Sequence, residues 1–296
     1  MKIKKIRADA QALLFLLPFL LVYGLFTVWP MIKGVEMTFY KWTLIKKMDF
    51  IGLDHYRQVL RDREVWEALW HSAIFVVLTT PTMVALSISL ALIANRKSLL
   101  QKFYRSLFFI PSVLSVAVAS YLGLFVFQPY TGLVNSILHL VRLLPEGAEI
   151  FWLTEKSLAW IVITLVTLWW TVGFNFILHL SAIQEIPDEI YEAARLDGAS
   201  DNQIFWKITL PYLAPITRII TMLQIIASFK VFMQIYIITG GGPLDQTRPI
   251  IQLIYETGFR KNDLGYAATM SYLLFVILLV LSALQYWMNN RKGAGM

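Results

Sequence analysis

Cysteine is absent from the chain, and charged residues are scarce. Without cysteine, disulfides, thiol nucleophiles and thiolate-ligated metals are excluded. Asp, Glu, Lys and Arg together make up 15% of the 296 residues, whereas soluble domains usually carry about one quarter. Hydrophobic residues reach 57%, and the mean hydropathy is +0.61. This composition indicates an integral membrane protein.

Two further kinds of site find no support in the chain. Its four histidines are His55, His71, His139 and His179, and no two of them stand at a metal-ligand spacing. Isolated polar positions in loops and helices are therefore favoured over a metal site. No Gly-x-x-x-x-Gly-Lys-Ser/Thr segment occurs, so the sequence offers no P-loop for a nucleotide.

Long uncharged stretches dominate what is present. The first has twenty residues, enough to cross about 30 Å of hydrocarbon at about 1.5 Å per residue. A signal peptide would have a shorter apolar region and an Ala-x-Ala cleavage pattern, which is missing between Gly24 and Pro30. The pattern predicts an all-α membrane protein with six spans, at residues 13–32, 72–94, 106–128, 158–180, 215–238 and 264–288.

The distribution of basic residues decides the orientation. The Lys and Arg residues outside the spans divide equally, twelve on each side. However, the 1–12 tail and the 96–105 loop have one acid against eight basic residues, whereas the 34–71 segment has six acids. The positive-inside rule then places both termini in the cytoplasm. The predicted inner segments are 1–12, 95–105, 181–214 and 289–296, and the outer ones are 33–71, 129–157 and 239–263.

The 181–214 loop is polar although it lies between two long apolar segments. Pro187 suits the first turn of a helix, and Gly198 permits the left-handed turn that ends one. Ser200 and Gln203 have the spacing of a capping box that starts a second helix. Six acids face two basic residues on the predicted cytoplasmic side. An amphipathic helix lying on lipid and a helix that binds a protein partner both fit, and the acidic balance favours the partner.

Four segments of the chain resemble a known family. Glu192-Ala-Ala-x-x-Asp-Gly-Ala199, with Phe205, Ile208, Pro211 and Pro215 after it, resembles the signature loop of the membrane subunits of bacterial ABC importers. Three more segments are similar to the carbohydrate-uptake branch of that family, the maltose and glycerol-phosphate type. They are Thr239-Gly-Gly-Gly-Pro243, Phe50-Ile-Gly-Leu-Asp-His-Tyr-Arg57 and Arg105-Ser-Leu-Phe-Phe-Ile-Pro111.

This resemblance implies a type I importer permease with six transmembrane helices and a cytoplasmic coupling helix, in the inner or plasma membrane of a bacterium. Two such permeases, usually different chains, form the pathway. Two copies of a cytoplasmic ATPase bind ATP and Mg, and an extracellular solute-binding protein delivers the saccharide. This chain is then a transport subunit that is not an enzyme and binds no cofactor. The residues carried over to the ATPase contact are Glu192, Ala193, Ala194, Asp197, Gly198 and Ala199.

A sugar pathway needs aromatic faces for pyranose rings and amide or hydroxyl groups for their hydroxyls. Polar side chains inside spans tend to face a cavity or a neighbouring helix. For each residue alone, helix–helix hydrogen bonding or an interfacial position is the favoured alternative. The candidates for the pathway are Trp169, Trp170, Asn175, Gln224, Ser228, Lys230, Gln234 and Tyr272.

Lys230 is the unusual member of this set. In a continuous helix it would lie about 12 Å below the outer end of the fifth span. Four roles stay open for its ammonium: snorkelling, facing the pathway, binding an acidic sugar, and pairing with the second permease. Beyond the span, the segment Gly240, Gly241, Gly242 and Pro243 cannot continue a helix. It is predicted to form a turn. This turn could close the pathway as a gate or receive the binding protein.

The predicted function is ATP-driven import of a sugar by alternating access. A membrane enzyme centred on the acidic residues of 185–201 would need metal ligands or a paired acid and base, which the sequence does not show. An ion-coupled transporter would need buried carboxylates, and the predicted spans contain no Asp or Glu. A glycerol phosphate or a uronate oligosaccharide in place of a neutral sugar also stays open.

Overall fold

The computed structural model describes residues 14–96, 99 and 101–293, which are mostly helical. The predicted 1–12 tail, part of the 95–105 loop and the end of the 289–296 tail lie outside the described residues. The elements are α1 (Leu14–Met37), β1 (Tyr40–Trp42), β2 (Lys47–Phe50), α2 (Asp54–Arg61), α3 (Arg63–Asn95), α4 (Gln101–Phe109), α5 (Val116–Val126), α6 (Leu133–Leu140), α7 (Lys156–Gln184), α8 (Asp188–Leu196), α9 (Asp201–Phe229), α10 (Met233–Ile238), α11 (Ile250–Tyr255) and α12 (Leu264–Gly293).

The chain divides into two compact units. The first consists of the residues up to Val65 together with Ile254–Ile277, and the second of Trp66–Leu253 together with the residues from Leu278 onward. Two long helices, α3 and α12, each contribute to both units.

In the first unit, the most apolar stretch of α1 has no buried residue, so its side chains are available to lipid or to another chain. The strands β1 and β2 form an antiparallel hairpin with Tyr40 opposite Phe50. The Leu44 N–H in the hairpin turn donates to Asn262 Oδ1 at 2.8 Å. This bond ties the hairpin to the segment that precedes α12.

The second unit is built around α7, half of whose most apolar stretch is buried. Gly173 marks a close approach of this helix to the residues around Ser112, because a Cβ there would lie 2.8 Å from Ser112 Oγ and 2.9 Å from the Phe108 carbonyl oxygen. Buried side chains form two of the core clusters, one around Phe75 and Trp160 and the other around Phe176. In lipid, helices associate through such close packing and through hydrogen bonds between helices.

The six predicted spans correspond to five long apolar helices and one bent pair. The third predicted span, 106–128, is the bent pair: the helical segments Gln101–Val113 and Val116–Val126 meet at 101°. Pro111 lies in the 3-10 turn before the bend, and the Ser115 hydroxyl accepts from the Val118 N–H to cap α5. Because this cap starts a new helix, the third span changes direction between Val113 and Val116.

The fifth predicted span, 215–238, differs from the expected continuous helix. Helix α9 begins at Asp201 and ends at Phe229, and α10 starts only at Met233. No glycine or proline lies in the gap, but Val231 within it and Ile235 just after it are buried in a core cluster. Packing therefore accounts for the break, and the depth expected for Lys230 in a continuous helix does not apply.

Candidate coupling surface and membrane cavity

Helix α8 presents an acidic surface on the segment between the fourth and fifth spans. Asp188 and Glu189 lie in its first turn and Arg195 in its last, so both charges suit the helix dipole. Ile186 before the helix is buried, and Ile190 and Ala194 are half-buried. These residues form the predicted apolar stripe that packs against the protein. The opposite face, which carries Glu192, is exposed.

The candidate contact residues divide between these two faces. Glu192, Ala193, Asp197 and Gly198 are exposed, whereas Ala194 and Ala199 are half-buried. Leu196, which the sequence reading did not single out, is 89% exposed at the end of the helix. Its signal in the sequence is the spacing of four residues from Glu192, which puts both on one face of a helix. Leu196 adds an apolar side chain to the exposed acidic surface of the helix.

Gly198 ends α8 in the predicted left-handed conformation, with φ +81°. The Gly198 N–H donates to the Arg195 carbonyl oxygen at 3.0 Å, and the Ala199 N–H donates to that of Ala194 at 2.9 Å. The latter bond satisfies a carbonyl that the helix end would leave unpaired. A Cβ on Gly198 would have nothing within 4 Å. The backbone angle, and not crowding, is therefore what requires glycine here.

The predicted capping box at Ser200 is confirmed. The Ser200 N–H donates to Gln203 Oε1 at 2.8 Å, and the Gln203 N–H donates to Ser200 Oγ at 3.4 Å. From this cap, α9 runs to Phe229, passing through a π turn at Phe205–Thr209 just before Pro211. The residues after this cap and the first part of the fifth span thus belong to one helix, α9, which a single tight turn joins to α8.

A cavity of about 630 Å³ lies in the second unit, halfway along α7. It brings six of the eight pathway candidates together, from α7, α9, the break after α9 and α10. They are Trp170, Asn175, Gln224, Ser228, Lys230 and Gln234.

Several of these side chains are joined by long hydrogen bonds. The Asn175 amide donates to Gln224 Oε1 at 3.4 Å, and the Gln224 amide donates to Ser228 Oγ at 3.3 Å. The Gln234 amide donates to Thr167 Oγ1 at 3.4 Å. Bonds of this length are weak. The bonds of Asn175 and Gln234 link different helices, as the alternative of helix–helix hydrogen bonding expects, and the bond of Gln224 lies within α9. All these groups also line the cavity, where their donors and acceptors can turn towards a ligand.

Lys230 lies at the point where the fifth span is interrupted. Its N–H donates to the carbonyl oxygens of Ile226 and Ala227, which closes α9, and its side chain lines the cavity. Among the described residues, the ammonium has no ion pair or hydrogen bond. The negative end of the α9 dipole favours a cation at this position. An unpaired ammonium beside a membrane cavity is chemically suited to an anionic or strongly polar ligand.

Two candidates lie elsewhere. Trp169 is half-exposed and lines a separate cavity of about 370 Å³ with Leu122 and Leu165. Neighbouring residues of a helix point about 100° apart, so Trp169 and Trp170 face different sides of α7. Tyr272 belongs to the first unit, where its hydroxyl donates to the Met31 carbonyl oxygen.

The cavity also has wall residues that the sequence reading did not select. Thr167 and Phe174 lie on α7 at helical spacing from Trp170, so the period of the helix could have identified them. Phe75 and Ser112 come from α3 and from the turn after α4. No local signal marks these two, because the packing of helices brings them to the wall.

The glycine-rich turn after α10 is tightly held within the second unit. Gly240 and Gly241 have φ +63° and +94°. The Gln252 amide donates to the Gly240 carbonyl oxygen at 2.8 Å, and Thr247 Oγ1 donates to that of Gly242 at 2.6 Å. Leu244 follows Pro243 and is 91% exposed. The predicted turn is confirmed, and it presents an apolar tip.

Residues 64–293 match the family described as the binding-protein-dependent transport system inner membrane component. The multiple sugar-binding transport system permease protein MsmF of Streptococcus mutans is 32% identical over 98% of this chain and 99% of its own. The sn-glycerol-3-phosphate transport system permease protein UgpA of Agrobacterium fabrum is 31% identical over 92% of this chain and 94% of its own.

Among solved structures, a bacterial ABC transporter involved in the import of the acidic polysaccharide alginate is similar in fold. Its chain aligns with a TM-score of 0.86 at 24% identity, covering 97% of this chain and 98% of that one. This likeness confirms the predicted type I permease fold, and the family match confirms a transport subunit in place of a membrane enzyme. The chain belongs to the family of inner-membrane components of binding-protein-dependent ABC transport systems.

Proposed function

We propose that this chain is the membrane-spanning permease subunit of an ATP-driven, binding-protein-dependent saccharide importer. One observation carries the proposal: a single helix, α9, connects the turn after the acidic helix α8 to a cavity whose wall carries amides, hydroxyls and an ammonium. The name of the relative MsmF, which refers to sugar transport, supports a saccharide as the substrate.

Helix α8 and the turn at Gly198 together form the coupling segment, which is the proposed contact with a cytoplasmic ATPase that binds ATP and Mg. Glu192, Ala193, Leu196 and Asp197 supply the exposed surface, and Gly198 sets the turn that aims it. Ala194 and Ala199, which are half-buried, support this surface from below. Both termini then lie in the cytoplasm, as the charge distribution predicts.

Movement of the coupling segment would pass into the membrane because α8 and α9 are joined by one tight turn. A second permease completes the pathway, two ATPase copies drive the movement, and a solute-binding protein docks on the opposite face. The Gly240–Pro243 turn with Leu244 is the proposed contact or gate on that face. Alternating exposure of the cavity to the two sides of the membrane gives import.

The cavity has the chemistry that a sugar requires. Trp170 offers an aromatic surface, and Asn175, Gln224, Ser228 and Gln234 offer amides and a hydroxyl. Sugar hydroxyls would replace the long hydrogen bonds that these groups make with one another. These amides and the hydroxyl would then stay hydrogen-bonded when the sugar binds, so they would not carry the desolvation penalty of an unpaired polar group.

Stimulation of ATP hydrolysis tests the coupling assignment. The complete transporter, reconstituted with its binding protein and sugar, should lose most of its stimulated ATPase activity in the variant Glu192→Ala. Glu185→Ala removes an exposed acid just outside α8 and should leave stimulation intact. Equal stimulation in both variants would contradict the coupling assignment, and import driven by an ion gradient without ATP would contradict the proposed function.

An acidic saccharide or a glycerol phosphate is the second candidate substrate class, favoured by the unpaired Lys230 in the cavity wall. The name of the relative UgpA, which refers to sn-glycerol-3-phosphate, is compatible with this class. For an anionic substrate, Lys230→Gln should weaken import about tenfold or more, because hydrogen bonds to charged groups contribute about 1.5–3 kcal/mol. Lys230→Arg should retain it. Unchanged import in Lys230→Gln would favour a neutral sugar.

A further inference from the structure

A second cavity in the second unit has no part in the proposed transport pathway. It has a volume of about 520 Å³ and lies between the first half of α9 and the last turns of α12. Met222, Ile225 and Ile226 line one wall, and Leu278 and Leu281 line the other. A sugar would leave its hydroxyls unpaired against these walls, so a saccharide does not fit the space.

The polar groups of this cavity gather at one end. Arg218 is half-buried there, and among the described residues its guanidinium has no ion pair or hydrogen bond. The Gln285 amide donates to the main-chain oxygen of Arg218 at 3.2 Å and holds α9 and α12 together at this point. Ser282, one turn away on α12, also has no hydrogen-bond partner for its hydroxyl among the described residues. Two unused donor groups therefore share one end of an apolar space.

The order of these groups along α9 matches the order of polarity in one leaflet of a bilayer. Trp206 and Tyr212, which precede Arg218, are exposed aromatics of the kind that lie at a membrane interface. The apolar wall begins with Met222 and runs deeper into the span. A cationic end near the interface above an apolar interior is complementary to a phospholipid, whose phosphate lies outside its acyl chains.

We propose that this cavity binds one anionic phospholipid of the phosphatidylglycerol class. The Arg218 guanidinium and the Ser282 hydroxyl donate to the phosphate, and one acyl chain lies between Met222 and Leu278. A guanidinium makes planar, bidentate contacts with phosphate oxygens, which suits this assignment. The bound lipid would pair with the half-buried Arg218 guanidinium and fill the gap between α9 and α12.

Counting the lipids bound to the assembled transporter tests this assignment. The complex of this permease with its second permease and ATPases is delipidated in detergent and titrated with phosphatidylglycerol or with phosphatidylcholine of the same chains. Native mass spectrometry should show one tightly bound phosphatidylglycerol that Arg218→Gln weakens about tenfold. Lys207→Gln, which removes an exposed charge on the same segment outside the cavity, should leave the count unchanged.

A second variant tests the apolar part without altering charge. Met222→Trp fills the acyl portion of the cavity and should also displace the lipid, so the assignment stays testable if Arg218→Gln fails to assemble. Wild-type lipid binding in either assembled variant would overturn the proposal. So would equal binding of the two phospholipids, occupation by inorganic phosphate alone, or a helix of the second permease filling the cavity. The readout does not depend on transport, so it succeeds or fails separately from the proposed substrate.

Discussion

At Gly198 a single backbone angle decides which residue the coupling segment accepts. Its φ of +81° lies in the region that side chains rarely adopt, and a Cβ would meet no atom within 4 Å. Gly147, in the segment between α6 and α7, has the same kind of geometry, with φ +82° and open space around the Cβ position. The two glycines therefore differ in location and not in local strain.

We expect Gly198→Ala to reduce the coupling between sugar binding and ATP hydrolysis, because a left-handed alanine costs about 1–2 kcal/mol and the turn relaxes to avoid it. Gly147→Ala carries the same backbone cost and should couple normally. The measurement is sugar-stimulated ATPase activity in the reconstituted transporter. Loss of coupling in both variants would show a general effect of stability and not a role for the turn.

Glu149 is the centre of a polar cluster outside the spans. The Tyr130 N–H donates to its Oε2 at 3.0 Å, the Asn135 amide donates to the same oxygen at 2.6 Å, and the His139 ring lies 3.4 Å from Oε1. The Tyr130 N–H, followed by the Asn135 and His139 side chains, lowers the pKa of Glu149 below its usual 4.5. These contacts hold the start and end of the segment between α5 and α7 together.

The lowered pKa predicts how this segment responds to acid. Because folding lowers the pKa, the stabilisation is fully present above the unfolded value of 4.5 and is lost as the pH falls through the folded value. Glu149→Gln should therefore lower the apparent melting temperature at pH 7, and its difference from wild type should shrink in acid. Glu146→Gln, an exposed neighbour, is the control and should match wild type at both pH values. A constant difference would contradict the prediction.

At the scale of elements, the contact between α7 and α4 defines one side of the cavity. Gly173 lets α7 approach until the Cβ position lies 3.0 Å or less from Phe108 and Phe109 main-chain atoms. Ser112, which borders the same contact, lines the cavity. The bend in the third span and the width of the cavity thus depend on a position without a side chain.

We expect Gly173→Ala to destabilise the protein by about 1–3 kcal/mol, the usual cost of forcing an extra methyl group into a packed contact. Gly24→Ala is the matched control, since a Cβ on Gly24 in α1 would have nothing within 4 Å. Thermal unfolding of both variants in the same detergent would measure the difference. Equal melting temperatures would mean that α4 yields without cost and that the contact does not set the geometry.

At the scale of the molecule, the proposed function requires a surface for the ATPase, and Leu196 is its most exposed apolar residue. Leu140 lies at the end of α6, which the charge distribution predicts to be on the other side of the membrane. It is comparably exposed, at 82% against 89% for Leu196. Both are free of contacts that a serine would disturb in the isolated chain. The two leucines are expected to differ only in the assembled transporter, because Leu196 alone faces the proposed ATPase.

Leu196→Ser should weaken binding of the ATPase about tenfold or more, since burial of a leucine side chain contributes about 1.5–3 kcal/mol. Leu140→Ser should leave that binding unchanged. Both variants should unfold at the wild-type temperature when purified alone. The measurement is the affinity of detergent-solubilised permease for its ATPase. Wild-type affinity in Leu196→Ser would remove this residue from the coupling surface.

Local chemistry was sufficient to predict the spans, the turn at Gly198 and the capping box at Ser200. Hydrophobic length, left-handed φ and the spacing of a serine and a glutamine are properties of short segments, so they can be read without a tertiary structure. Helical period could also have included Leu196 and Thr167.

The sequence by itself determined that this is a six-span permease whose acidic 181–214 loop leads into the fifth span. Only the tertiary structure decided where that span breaks, that Trp170 and not Trp169 faces the cavity, and that Phe75 and Ser112 complete its wall. The reason is physical. A span is defined by the transfer of its own residues into lipid, whereas a break or a cavity depends on contacts between helices that are distant in the chain.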